Sequence, residues 1–192
     1  MNWETYVAYG DSITIGARTY FGYPEWAGDL LSKRLNKDWQ VVNHAVSGYT
    51  SIDLVRYIDA HFARLKTHEA SFSTIMIGTN DVKIGTSLAD YELALRQVIL
   101  KVLLLTPGRK LILLHLPSLQ KGIMYPYQFG MNETIKAYNQ TIIRLAKEYR
   151  LSHYALPLGE EHFIDGVHLN RTGVEQAGSS IAKLVLSERG LL

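Results

Sequence analysis

A hydroxyl, an imidazole and a carboxylate that could work together stand near opposite ends of this chain. Ser12 lies in Tyr9-Gly10-Asp11-Ser12, where an apolar run breaks off. Asp165 and His168 are three residues apart in Asp165-Gly166-Val167-His168. A serine attacks a carbonyl only if a base removes its proton, and the base needs an acceptor that fixes its tautomer. On a tight turn, the spacing of Asp165 and His168 brings the carboxylate to the ring nitrogen that faces away from the serine. Two further polar turns, Ser47-Gly48-Tyr49 and Gly78-Thr79-Asn80-Asp81, each follow an apolar run. Gly48 lets a backbone N–H approach a ligand closely, and the Asn80 amide can reach in from a neighbouring strand. With the Ser12 N–H they would make three donors for a developing oxyanion.

Each of these residues also has a plain structural reading. A serine after a strand commonly caps a helix, and the pattern of a nucleophile elbow is not met, because Thr14 stands where its second glycine belongs. Turn glycines and asparagines are ordinary. Asp11 and Asp81 read as structural, bonding backbone within their loops. Glu160, Glu161, His162, Asp165 and His168 raise the question of a metal, but the two histidines are six apart rather than the four that puts two imidazoles on one helical face. No metal and no cofactor is expected.

The elements that must bring these turns together alternate. Strands are expected near Tyr6–Tyr9, Val41–Val46, Phe72–Ile77, Leu111–Leu116 and His153–Leu156. Helices are expected from Pro24, from a cap at Ser51 or Asp53, from a cap at Ser87 to a stop at Pro107-Gly108, over 132–149 and over 172–188. Leu111–Leu116 is almost continuously apolar, as a strand buried on both faces must be. Such alternation predicts an α/β domain with a five-stranded parallel sheet and helices on both faces, and residues 1–192 read as one domain. Chemistry then belongs at the carboxyl ends of the strands, where the four turns would gather. The connection from Pro117 to Gly130 is long and carries Ile123, Met124, Tyr125 and Tyr127. It reads either as cover for the sheet edge or as one wall of a substrate pocket.

The 192 residues include no cysteine, which excludes disulfides and thiolate catalysis. A net charge of +2, with Lys and Arg scattered, gives no footprint for nucleic acid. No apolar run is long enough for an integral membrane segment. No signal peptide is read ahead of the first strand, so a cytoplasmic location is expected. Oligomeric state is not legible.

Together the four turns resemble the blocks of the SGNH hydrolases, also called GDSL esterases or lipases. Gly10-Asp11-Ser12 matches the first block, Asn43 to Gly48 the second, Gly78-Thr79-Asn80-Asp81 the third and Asp165 to Asn170 the last. The resemblance covers nearly the whole chain. It implies a flavodoxin-like three-layer α/β/α sandwich of strand order 2-1-3-4-5, with Ser12 as nucleophile, His168 as base and Asp165 as its partner. Ser12, Gly48 and Asn80 would form the oxyanion hole. The implied reaction is cleavage of a small carboxylic ester through an acyl-enzyme, short or medium acyl chains being favoured. Thioesters and acetylated sugars are open as substrates. The competing reading is a non-hydrolytic flavodoxin-like binding or signalling module, with Asp11 and Asp81 in a phosphate-receiving role. Against it, the first strand ends in a single acid, and Leu156-Pro157-Leu158-Gly159 stands where a lysine would be needed after the fifth.

Overall fold

The computed structural model describes residues 3–106, 108 and 110–191. Five strands, β1 (Glu4–Gly10), β2 (Trp39–Asn43), β3 (Phe72–Met76), β4 (Leu111–Leu114) and β5 (Ser152–Tyr154), form one parallel sheet in the order β2-β1-β3-β4-β5. Among the described residues, seven α-helices accompany them: α1 (Ser12–Ile15), α2 (Tyr23–Leu35), α3 (Ser51–Leu65), α4 (Thr79–Ile84), α5 (Leu88–Leu105), α6 (Asn132–Tyr149) and α7 (Arg171–Glu188). Packing of α2 on α7, and of α3 and α6 on α5, covers the two faces of the sheet. This is the three-layer α/β/α arrangement that the alternation implies.

Burial follows strand position. In β1, Tyr6, Val7, Ala8 and Tyr9 are all at most 1% exposed, because neighbours flank the strand and helices cover both its faces. The edge strand β5 leaves Ser152 and His153 exposed. Helix faces are equally legible. In α5, Tyr91, Ala94, Leu95, Val98, Ile99, Val102 and Leu105 are buried at three- and four-residue steps. Where α7 crosses α2, a Cβ on Gly178 would sit 2.8 Å from Trp26 Cβ, so only glycine permits the approach.

Several boundaries differ from the sequence expectation for local reasons. β2 ends at Asn43 rather than Val46, since the Asn43 side chain accepts from Ala45 N–H and turns the chain. The cap of α3 is Thr50, one residue before Ser51 and three before Asp53, the two expected candidates. Its hydroxyl accepts from Asp53 N–H and the Asp53 carboxylate accepts from Thr50 N–H, a closed capping box. Ser87 caps α5 as expected, accepting from Asp90 N–H at 3.1 Å. Pro107, the expected stop of that helix, lies outside the described residues. Two short helices, α1 and α4, occupy what read as plain turns after β1 and β3.

The strand order reverses between β1 and β3. Loops leaving adjacent strands on opposite sides of such a switch point open a crevice at the carboxyl edge. Ser12 follows β1, Gly48 follows β2 and Asn80 follows β3, so all three arrive at that crevice.

Candidate active site

Asp11 starts the site. Its backbone is extended, and its Oδ1 accepts from Ile13 N–H at 3.0 Å, capping α1. That cap makes Ser12 the first residue of a helix, whose N–H the helix itself leaves unpaired. Ser12 is 8% exposed, enough to present its hydroxyl to a cleft of about 390 Å³.

His168 arrives from the other end of the chain. Its Nε2 lies 3.0 Å from Ser12 Oγ, and its Nδ1 lies 2.8 Å from Asp165 Oδ2. A carboxylate only accepts, so Nδ1 carries the proton and Nε2 presents its lone pair to the serine hydroxyl. Asp165 Oδ1 also accepts from the N–H groups of Val167 (3.1 Å) and His168 (2.7 Å). Burial works to raise the Asp165 carboxyl. The bonds from the backbone and ring of His168 and from Val167 outweigh it and hold the group below its usual range. Arg18 Nε stands 3.5 Å from the same Oδ2.

The Asp165–His168 segment does not leave a strand directly, unlike the turns after β1 and β3. β5 ends at Tyr154, and the segment forms a loop closed by an antiparallel bridge between Phe163 and Leu169. Asn170 then caps α7 by accepting from Gly173 N–H at 2.9 Å. The loop is pinned from outside by the long connection, whose Gln120 N–H donates to Gly166 O at 2.9 Å and whose Met124 N–H donates to Asp165 O at 3.3 Å.

The remaining donors line the same cleft. Gly48 has φ +85, the left-handed region, and open space where a Cβ would be. Asn80 is 2% exposed and also lines it, with Nδ2 donating to Tyr49 O at 2.9 Å. Asp81 is turned away, as expected of a structural residue. Its two oxygens accept from Ser51 N–H (2.8 Å) and Ser51 Oγ–H (2.6 Å), tying α4 to α3.

Of the long connection, Met124, Tyr125 and Tyr127 form a wall of the cleft. Ile123 packs against Gly166 and the core instead: a Cβ on Gly166 would meet Ile123 Cα at 2.9 Å. Sequence reasoning passed over Ala17, Arg18, Lys83 and Pro126, which the structure brings to the cleft. Lys83 had a usable signal, since it stands three after Asn80, on the same face of any helical turn. Among the described residues, no group of three or more His, Asp, Glu or Cys side chains is arranged to hold a metal ion.

The sequence profile of the GDSL-like lipase/acylhydrolase family matches residues 8–176. The chain belongs to that family. Membership places it among the lipases and acylhydrolases, enzymes that cleave carboxylic esters. No curated protein matches it in sequence. Solved structures share the fold across nearly their whole lengths. An acetylxylan esterase from Geobacillus stearothermophilus is 23% identical with a TM-score of 0.71, covering 96% of this chain and 93% of that one. The inhibitor-bound aryl esterase of M. smegmatis is 21% identical with a TM-score of 0.76, covering 98% and 100%. A carbohydrate acetylesterase from Sinorhizobium meliloti is 19% identical with a TM-score of 0.73, covering 96% and 99%. The sheet order 2-1-3-4-5 is the one that the resemblance implied. No helix is long and apolar enough to cross a membrane among the described residues.

Proposed function

We propose that this GDSL-like acylhydrolase is a serine esterase working through an acyl-enzyme, on small esters with short acyl chains. The observation that carries the reading is the continuous contact from Asp165 through His168 to Ser12, at 2.8 and 3.0 Å. His168 Nε2 takes the Ser12 proton as Oγ attacks the ester carbonyl, and Asp165 stabilises the imidazolium that forms. The carbonyl oxygen becomes an oxyanion, received by the N–H groups of Ser12 and Gly48 and by the Asn80 amide. Collapse of the tetrahedral intermediate breaks the bond to the alcohol, which leaves with the proton from His168. Water, deprotonated by the same ring, then attacks the acyl-serine; the acyl–Oγ bond breaks, the acid leaves and Oγ recovers the proton from His168. Every proton moves between protein groups, the leaving alcohol and water, so the route calls for no cofactor or metal.

Size supports the acyl preference. The cleft of about 390 Å³ is open and walled by Met124, Tyr125 and Tyr127, with Tyr127 only 9% exposed. That volume suits a small ester taken whole, acyl and alcohol parts together, better than one with a long fatty chain. The acetylxylan and carbohydrate acetyl esters named for the similar structures are therefore the first natural substrates to try, beside small aryl esters.

Turnover of a short-chain aryl ester by Ser12→Ala tests the reading. The mechanism expects a loss of at least about 10⁴-fold in kcat, leaving only the residual catalysis of the donors and binding. Activity near that of the parent would end it.

A further inference from the structure

The Asn80 side chain can make four hydrogen bonds, two accepted at Oδ1 and two donated from Nδ2. Three are taken up by the protein. Lys83 Nζ donates to Oδ1 at 2.9 Å and the Tyr127 hydroxyl donates to the same oxygen at 3.1 Å. Nδ2 donates to Tyr49 O at 2.9 Å. An ammonium has no lone pair and a carbonyl oxygen has no proton, so the amide cannot flip without breaking both contacts. One N–H is left over, on a residue that lines the cleft beside Ser12 and His168.

We propose that Lys83 is a positioning residue of the oxyanion site, which orients and polarises the Asn80 amide so that its remaining N–H meets the tetrahedral oxyanion. The proposal rests on the serine mechanism above and adds to it a residue outside the three oxyanion donors. The geometry of α4 supplies the contact, because residues three apart share a helical face and the lysine stem reaches back over one turn. A charge-assisted bond to Oδ1 draws electron density out of the amide and strengthens its N–H as a donor. Lys83 is only partly exposed, and its Nζ stands 5.9 Å from the centre of the Tyr127 ring, so its charge is held beside the cleft rather than free in solvent. The charge it complements exists in the tetrahedral state and not in the neutral ester. Its contribution therefore belongs to kcat more than to KM.

Steady-state kinetics on a short-chain aryl ester separate the possibilities, using Lys83→Met, Lys83→Arg, Asn80→Ala and the Lys83→Met/Asn80→Ala double variant, each with its melting temperature. Loss of one donor in Asn80→Ala should cost about 10²–10³-fold in kcat. Lys83→Met should lower kcat by about 10–100-fold with KM within about threefold, and Lys83→Arg, which keeps the charge, should recover most of the loss. In the Asn80→Ala background the lysine has nothing to orient, so removing it should cost less than about threefold more. A folded Lys83→Met with kcat within about twofold of the parent overturns the proposal. So does a loss confined to KM, the signature of an anion-binding lysine, or a full additional loss in the Asn80→Ala background. Should Lys83→Met melt early, Lys83→Gln is read by the same criteria. Retained turnover by Ser12→Ala, run alongside, would instead remove the serine mechanism; failure of Lys83 alone leaves Ser12 essential.

Discussion

Ser12 owes its place to the carboxyl group beside it. One oxygen of Asp11 caps α1, while the other is buried without a partner. Burial pushes the group up to about 7, with Asp81 adding to the rise and Lys83 opposing it. Because the folded value lies above the 3.8 of an unperturbed aspartate, the fold binds this proton more tightly than the unfolded chain does. The resulting stability is complete below about pH 4 and drains away as pH rises toward about 7. Asp11→Asn keeps an acceptor for Ile13 N–H and cannot ionise. Urea unfolding at pH 5 and pH 8 should therefore show the variant gaining on the parent at the higher pH, and parallel stabilities at the two pH values would contradict the reading. That Asp11 bonds backbone within its own turn was legible, because the start of a helix needs a side-chain acceptor; that Asp81 reaches instead to Ser51, in α3, was not. Nor were the bonds of Lys83 and Tyr127 to Asn80. The Tyr127 contact spans 47 positions and exists only once the long connection folds over the cleft.

At the scale of elements, the strands and long helices were legible because their apolar spacing is dictated by burial, while their ends are set by single side chains that pattern does not see. The start of α3 is an example. Ser51 and Asp53 both suit a cap, but Ser51 spends its hydroxyl and N–H on Asp81 and is already helical. Thr50, extended at φ −89 and ψ 172, is left as the cap, with Asp53 closing the box. The adjoining turn carries Gly48, and Tyr49 O accepts from Asn80, so this cap also steadies the two residues proposed as oxyanion donors beside Ser12. Thr50→Ala should cost about 1 kcal/mol, a fall in melting temperature of about 2–4 °C for a chain of this size. An unchanged melting curve would show that the box adds nothing. α1 and α4 were not anticipated because each is short and begins at a functional turn, where Gly10-Asp11-Ser12 and Gly78-Thr79-Asn80 read first as loop.

Over the whole molecule, the fold solves one problem: it carries a hydroxyl and an imidazole 156 positions apart to 3.0 Å. The parallel sheet delivers Ser12, Gly48 and Asn80 to one crevice because their strands are adjacent and point the same way. Asp165 and His168 come by a different route, which the alternation of elements did not reveal. They stand on a loop closed by its own bridge and held by Gln120 and Met124 of the long connection. The two ends of the chain are also joined behind the site. Arg189 pairs with Glu4, as does Lys37 at 2.8 Å, and the Arg189 bond is the main cause holding the Glu4 carboxyl down to about 2. The central claim is that this assembly makes Ser12 Oγ a nucleophile. A fluorophosphonate probe followed by mass mapping of the modified peptide measures that directly. One adduct, on Ser12, abolished by prior unfolding, is the predicted result. A folded protein that takes up no label, or takes it on another residue, would contradict the account.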